Sequence, residues 1–172
     1  MNRPARPFAL AMSATPFVRH VRRSAALLAL AFALPNAFAD SREMPASAML
    51  PAYQQECASC HMAYPPGMLP ARSWDRLMQG LGQHYGTDAS IEPAQVRQIN
   101  AWLQSHAGTY KRVREEPPQE RITRSAWFER KHREVAPAVW QRPAVGSRAH
   151  CMACHTRADQ GDFDDDRVRI PK

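Results

Sequence analysis

From residue 40 onward, apolar positions recur at intervals of three and four, with no alternating stretch and no hairpin signal. That is helical spacing rather than strand spacing. Residues 52–61 predict a first short helix. Residues 62–70 hold Pro65, Pro66 and Pro70, and each proline removes a backbone donor and clashes with the turn before it. An extended loop is expected there. Ser73 predicts the cap of a helix running to about Tyr85, stopped by Gly86. Trp74, Leu77, Leu81 and His84 then share one face. Pro93 opens the next helix, which ends near His106 with Gly108 beyond it. Val96, Ile99, Leu103 and His106 form its apolar face. Residues 115–120 read as a charged linker broken by Pro117 and Pro118. A third helix is expected over 123–135, with Phe128, His132 and Val135 together. Pro137 and Pro143 mark a loop, Ser147 predicts the cap of a last helix, and the acidic stretch 159–166 is expected to be irregular. Fifteen prolines cut the chain into short pieces. The fold class is therefore mostly α with long irregular loops.

The first residues follow a different pattern. Arg19, Arg22 and Arg23 precede an apolar run over 25–34, and Asn36-Ala37-Phe38-Ala39 ends in a small-x-small site. This reads as a secretory signal peptide, residues 1–39, cleaved after Ala39, with Met12 as an alternative start. The run is shorter than the roughly 20 apolar residues a span requires, and no later stretch is long and apolar enough. Cleavage changes the charge argument. The full chain has 23 basic and 16 acidic residues, and residues 1–39 hold five arginines and no acid. The remaining 133 residues carry 18 and 16, a net of +2, so the basic balance belongs to targeting and nucleic-acid binding has no support. Residues 40–172 are expected to form a single domain.

All four cysteines lie in two copies of one motif, Cys57-Ala58-Ser59-Cys60-His61 and Cys151-Met152-Ala153-Cys154-His155. Cys-x-x-Cys-His is the attachment pattern of a c-type haem. The thiols of Cys57, Cys60, Cys151 and Cys154 add to the vinyl groups, and His61 and His155 ligate the irons. A disulfide framework, a thioredoxin-like motif or a zinc site are the alternatives. None accounts for both a histidine after each second cysteine and the duplication. Two covalent haems are expected, one in an N-terminal lobe of about 40–112 and one in a C-terminal lobe of about 120–172.

Each iron needs a partner opposite its motif histidine, and the axial pair is the strongest local lever on haem function. His84 follows the first motif beside Trp74 and Leu81, and His132 precedes the second beside Phe128. They are the candidate distal ligands of the first and second haem. His106 is the chief rival to His84, although a helix C-terminus favours a protonated histidine there for its own reasons. His150 adjoins Cys151 and cannot easily reach the far face of its own haem. Met62, Met68, Met78 and Met152 are further candidates, but methionine is a common core filler.

Residues 57–74, reading Cys-Ala-Ser-Cys-His-Met-Ala-Tyr-Pro-Pro-Gly-Met-Leu-Pro-Ala-Arg-Ser-Trp, resemble the small bacterial dihaem cytochromes c. So do Arg121-Ile122-Thr123, Trp127-Phe128, His132-Arg133-Glu134 and residues 145–172. The resemblance covers most of the chain after residue 40. It implies bis-histidine ligation of both haems, with His84 and His132 at the distal positions, low potentials and periplasmic electron transfer. It also implies a small oxygen-binding monohaem cytochrome c and a membrane cytochrome b as partners. The competing readings are a small haem peroxidase or reductase with one open iron, the electron-transfer subunit of a periplasmic reductase, and a haem-based sensor. The chain is short for the first, and no output domain supports the last.

Overall fold

The structure, a computed structural model, describes residues 48–172. The expected signal peptide and its cleavage site lie outside the described residues.

Helix α1 spans Pro51–Cys57. Pro51 sits in its first turn, where a missing N–H costs nothing. The helix stops short of the expected residue 61. Ala58 N still makes the helical bond to the Gln54 carbonyl (3.0 Å), but the Glu56 carbonyl is taken by Ser59 Oγ (3.0 Å), a local bond that competes with helix continuation. The following loop holds one 3-10 turn, Pro66–Met68.

Helix α2 spans Ala71–Gln79, beginning after an extended Pro70. Ser73 does not cap it; it lies inside the first turn, fully buried. Nor does α2 reach Tyr85. Gly80 N closes onto the Arg76 and Leu77 carbonyls, both 3.1 Å. Gly80 and Gly82 together weaken any continuation, at about 1 kcal/mol per helical glycine. A 3-10 turn over Leu81–Gln83 follows, then Tyr85 and Gly86 at φ 53° and 96°. Leu81 and His84 therefore leave the helix that carries Trp74, and the helix face that is buried comprises Ser73, Trp74 and Met78.

Helix α3 spans Pro93–His106, the expected bounds, with Ile99 and Leu103 fully buried. His106 is exposed instead of joining the apolar face. α2 and α3 pack together around Met49, Tyr53, Ala63, Leu69, Trp74, Met78, Ile99 and Leu103. Polar side chains fix their register: Asn100 donates to Asp75 Oδ1 and Gln104 to the Ala71 carbonyl, each at 2.9 Å. Trp74 Nε1 donates to the Pro66 carbonyl at 2.7 Å and ties the proline loop to the core.

Gly108 sits where three segments converge. Its N–H donates to the Leu69 carbonyl at 2.9 Å. A Cβ there would meet Val113 Cγ2 at 2.4 Å and the Gly67 carbonyl oxygen at 2.5 Å. Backbone cannot yield as a side-chain tip can, so Gly108→Ala should cost about 1–3 kcal/mol as overpacking does. Chemical denaturation of the haem-loaded protein checks this; an unchanged midpoint would contradict the tight convergence.

The second half is built of shorter pieces. Turns at Pro118–Glu120 and Ile122–Arg124 lead to helix α4, Ala126–Lys131. Ser125 Oγ accepts from Phe128 N at 3.2 Å as the N-cap. The expected helix over 123–135 is thus six residues long, and Val135 falls outside it. His132 ends it, because the Phe128 carbonyl takes both the His132 N–H (3.0 Å) and its ring Nδ1 (2.9 Å). Where a loop was expected after Pro137, a one-turn helix α5 spans Pro137–Trp140 with Pro137 at its start. No α-helix carries the second motif; Cys151–Ala153 is a 3-10 turn. Ser147 Oγ instead accepts from Ala149 N at 3.1 Å.

The acidic tail folds into turns at Ala158–Gln160 and Asp165–Arg167. Arg167 pairs with Asp162 and Asp164, exposed pairs worth little stability each. Arg169 N donates to the Cys154 carbonyl at 2.9 Å and ties the tail to the second motif. Among the described residues there is no β-strand, only an isolated bridge between His84 and Thr87. No helix among them is long and apolar enough to cross a membrane.

Candidate haem sites

The end of α1 presents Cys57, half-buried, and the turn after it presents Cys60, exposed. Burial pushes the Cys57 thiol up to about 11. His61 follows, and its ring Nδ1 lies 2.7 Å from the Met62 carbonyl. That contact fixes Nδ1 as the protonated nitrogen and leaves Nε2 for a metal. The Tyr64 ring stacks on His61 at 4.9 Å and 27°. Across from it, the loop after α2 brings in His84. The His61 and His84 rings lie 6.1 Å apart with planes 30° from parallel.

His84 is aimed by the strained turn behind it. Tyr85 is a bulky residue in the left-handed region, which needs compensation from its surroundings. The Arg121 guanidinium supplies it, lying 4.0 Å over the Tyr85 ring, and the Tyr85 hydroxyl donates to the Gln119 carbonyl at 3.0 Å. Burial lowers the pKa of His84, as do the nearby His61 and Arg121. Each of these effects favours the neutral ring, the form that ligates a metal.

The second site repeats the arrangement with other elements. In the 3-10 turn at Cys151, His155 N donates to the Cys151 carbonyl at 2.8 Å, which brings His155 back over its cysteines. The end of α4 supplies His132 opposite. The two rings lie 6.2 Å apart with planes at 77°. His132 Nδ1 is 2.9 Å from the Phe128 carbonyl, so Nε2 is again the free nitrogen. Phe128 stacks on His132 at 3.9 Å and 21°, and Trp140 lies 5.8 Å from the same ring. Burial lowers the pKa of His155, as does His132, against a raising effect of Asp165 and Asp162.

These separations can be tested against the cofactor. With a metal–imidazole bond of about 2 Å and roughly 1.1 Å from nitrogen to ring centre, two imidazoles sharing one iron stand about 6.2 Å apart. Both pairs, at 6.1 Å and 6.2 Å, meet that requirement. None of the four cysteines is paired in a disulfide. Among the described residues, no three His, Cys, Asp or Glu side chains gather as a metal cluster, so the motifs do not converge on a zinc site. The residues fit two haems, each held by its own motif.

Among the described residues, no other histidine ring packs on His61 or His155. His106 Nδ1 lies 2.8 Å from the Trp102 carbonyl and 2.9 Å from Ser105 Oγ on an exposed helix end. His150 Nδ1 is 3.1 Å from the Val145 carbonyl. Met68 and Met78 are buried in the core, whereas Met152 is exposed. Several contributors were not foreseen from the sequence: Tyr64, Tyr85, Arg121, Trp140 and Arg148. Tyr64 joins the two sites. Its ring is on His61 and its hydroxyl donates to the Ala149 carbonyl at 2.7 Å, two residues before Cys151. Burial raises its pKa, so it stays a donor. A tyrosine three residues after a haem motif is the one signal the sequence offers.

Comparison with known proteins identifies the family. The dihaem cytochrome c family matches residues 53–163. A dihaem cytochrome c from Shewanella baltica, solved by X-ray crystallography, is 39% identical with a TM-score of 0.63, covering 74% of this chain and 95% of its own. A dihaem cytochrome c from Rhodobacter sphaeroides is 40% identical with a TM-score of 0.60, covering 67% and 98%. A second structure, of DHC purified from Rhodobacter sphaeroides, is 41% identical with a TM-score of 0.59, covering 67% and 97%. No curated protein matches the chain. With two complete attachment motifs and a family match over most of the described residues, this chain belongs to the dihaem cytochrome c family and carries two c-type haems.

Proposed function

We propose that the protein is a periplasmic electron carrier whose two haems are each ligated by two histidines, His61 with His84 and His155 with His132. The observation that carries this reading is the pair of imidazole separations, 6.1 Å and 6.2 Å. When bound, the haems supply one-electron redox chemistry. The chain's residues do the rest. Cys57 and Cys60 hold one ring, and Cys151 and Cys154 the other. His84 and His132 fill the faces opposite the motif histidines and exclude small ligands from them. The Met62 and Phe128 carbonyls accept from His61 and His132, which raises imidazole basicity and favours the oxidised state. Low potentials follow from that and from the absence of a methionine at either pair. Tyr64 fixes the second motif relative to the first histidine, so the two sites hold a constant separation.

Export follows from residues 1–39 read as a signal and from thioether attachment outside the inner membrane. A membrane cytochrome b and a small oxygen-binding monohaem cytochrome c, as the two redox partners, complete the reading. Docking to either depends mainly on encounter and weakens with salt.

Carbon monoxide tests the ligation. The reduced protein should form no adduct on mixing, because both irons lack an open face. Rapid, stoichiometric binding to one haem would overturn the bis-histidine reading and favour a small haem enzyme or sensor.

A further inference from the structure

Four buried side-chain polar atoms lack a hydrogen-bond partner among the described residues: Ser73 Oγ, Glu120 Oε2, Trp127 Nε1 and Arg148 Nε. Buried polar groups in folded proteins are nearly always satisfied, so each one calls for a reason. The first two complement each other, since the Ser73 hydroxyl lies within reach of the Glu120 carboxylate. The last two are both donors, and neither has an acceptor among the described residues.

Those two donors flank the same ring. The Trp127 indole meets Phe128 edge-on at 6.1 Å. The Arg148 guanidinium lies 5.2 Å over Phe128 and 5.2 Å over Trp140. Phe128 and Trp140 are the rings packed on His132. Arg148 also stands three residues before Cys151 in the chain. Its outer edge is partly neutralised, because Nη2 donates to Glu129 Oε2 at 2.9 Å. Its inner Nε–H is the edge left over. What is missing at both nitrogens is an acceptor, and the haem held by Cys151 and Cys154 brings carboxylates, which when ionised only accept hydrogen bonds. A charge-assisted bond from Arg to a carboxylate is about twice as strong as a neutral one.

We propose that Trp127 Nε1 and Arg148 Nε donate hydrogen bonds to the propionates of the second haem. These two residues thereby seat the second haem and set its potential. Glu129 moderates the Arg148 charge. The inference rests on His132 as a ligand of that haem.

Trp127→Phe keeps the ring and deletes the donor. Arg148→Gln deletes the cation and Nε. Glu129→Gln releases the cation from its partner. Redox titration followed by electron paramagnetic resonance separates the haems, and resonance Raman reads their propionate bending bands. Trp127→Phe and Arg148→Gln should lower the second haem's potential and shift its propionate bands. Glu129→Gln should raise that potential. A merely structural role would not give opposite signs across one ion pair. Arg148 and Glu129 are 39% and 52% exposed in their side chains, so their variants fold and decide the matter should Trp127→Phe not fold. Unchanged bands and potentials in the Arg148 and Glu129 variants would overturn the inference, as would shifts confined to the first haem. Retained low-spin signals from both haems in each variant would show that the ligation itself stands.

Discussion

His84→Ala should turn one of the two haems high-spin and leave the other untouched. His84 reaches its position on a loop, not on α2, held by the Tyr85 turn and the Arg121 guanidinium over Tyr85. Alanine removes the imidazole 6.1 Å from His61, and among the described residues no other histidine ring packs on His61. His106 lies on an exposed helix end against Trp102, and Met68 and Met78 are buried in the core. Half of the haem should then bind carbon monoxide after reduction. His132→Ala should do the same to the other haem, because His132 faces His155 at 6.2 Å. His106→Ala should change neither spectrum. Absorption spectroscopy with carbon monoxide checks all three. An open haem in His106→Ala, or two low-spin haems in His84→Ala, would show that the ligand set is different.

The second large effect concerns attachment. The double substitution Cys151→Ser, Cys154→Ser should yield a protein with one covalent haem and a C-terminal part that does not fold stably. Beyond residue 131, the buried hydrophobics are Val139, Val145 and Ala158 alone among the described residues. The elements there are one turn of helix and three 3-10 turns. Isolated helices this short are not stable in water without packing, so the haem face must supply the missing apolar surface. A cofactor that binds only the folded state contributes its binding energy to folding. The loss should be on the order of 5 kcal/mol, comparable with the whole stability of a small domain. The equivalent Cys57→Ser, Cys60→Ser change should cost less, because α1 to α3 keep a core of their own around Trp74, Ile99 and Leu103. Intact mass counts the haems, and denaturation followed by circular dichroism reads the stability. Equal losses from both pairs would contradict this asymmetry.

The two motifs and the α3 helix were legible because their signals are local. A proline at the first helical turn and an apolar period set α3 from Pro93 to His106. The sequence also points to His84 and His132, which lie beside apolar residues near each motif. Their route there was not legible. The period of three and four runs on past Gly80, yet two closely spaced glycines end α2 at Gln79. In α4 the period again continues, but the His132 backbone and ring both claim the Phe128 carbonyl. The one-turn helix at Pro137 and the 3-10 turn at Cys151 are shorter than any period can register. Contacts such as Tyr64 to Ala149 join residues 85 apart. The orphaned donors of Trp127 and Arg148 exist only once burial is known.

Electron paramagnetic resonance of the oxidised protein at low temperature tests the bis-histidine claim most directly. Near-parallel imidazole planes split the two iron orbitals that interact with the ligands, and near-perpendicular planes leave them almost degenerate. The planes at 30° and 77° therefore predict two distinct low-spin signals of equal intensity, one rhombic from the first haem and one with a single large g value from the second. A high-spin signal, or a methionine-ligated haem betrayed by its charge-transfer band in the same sample, would contradict the account.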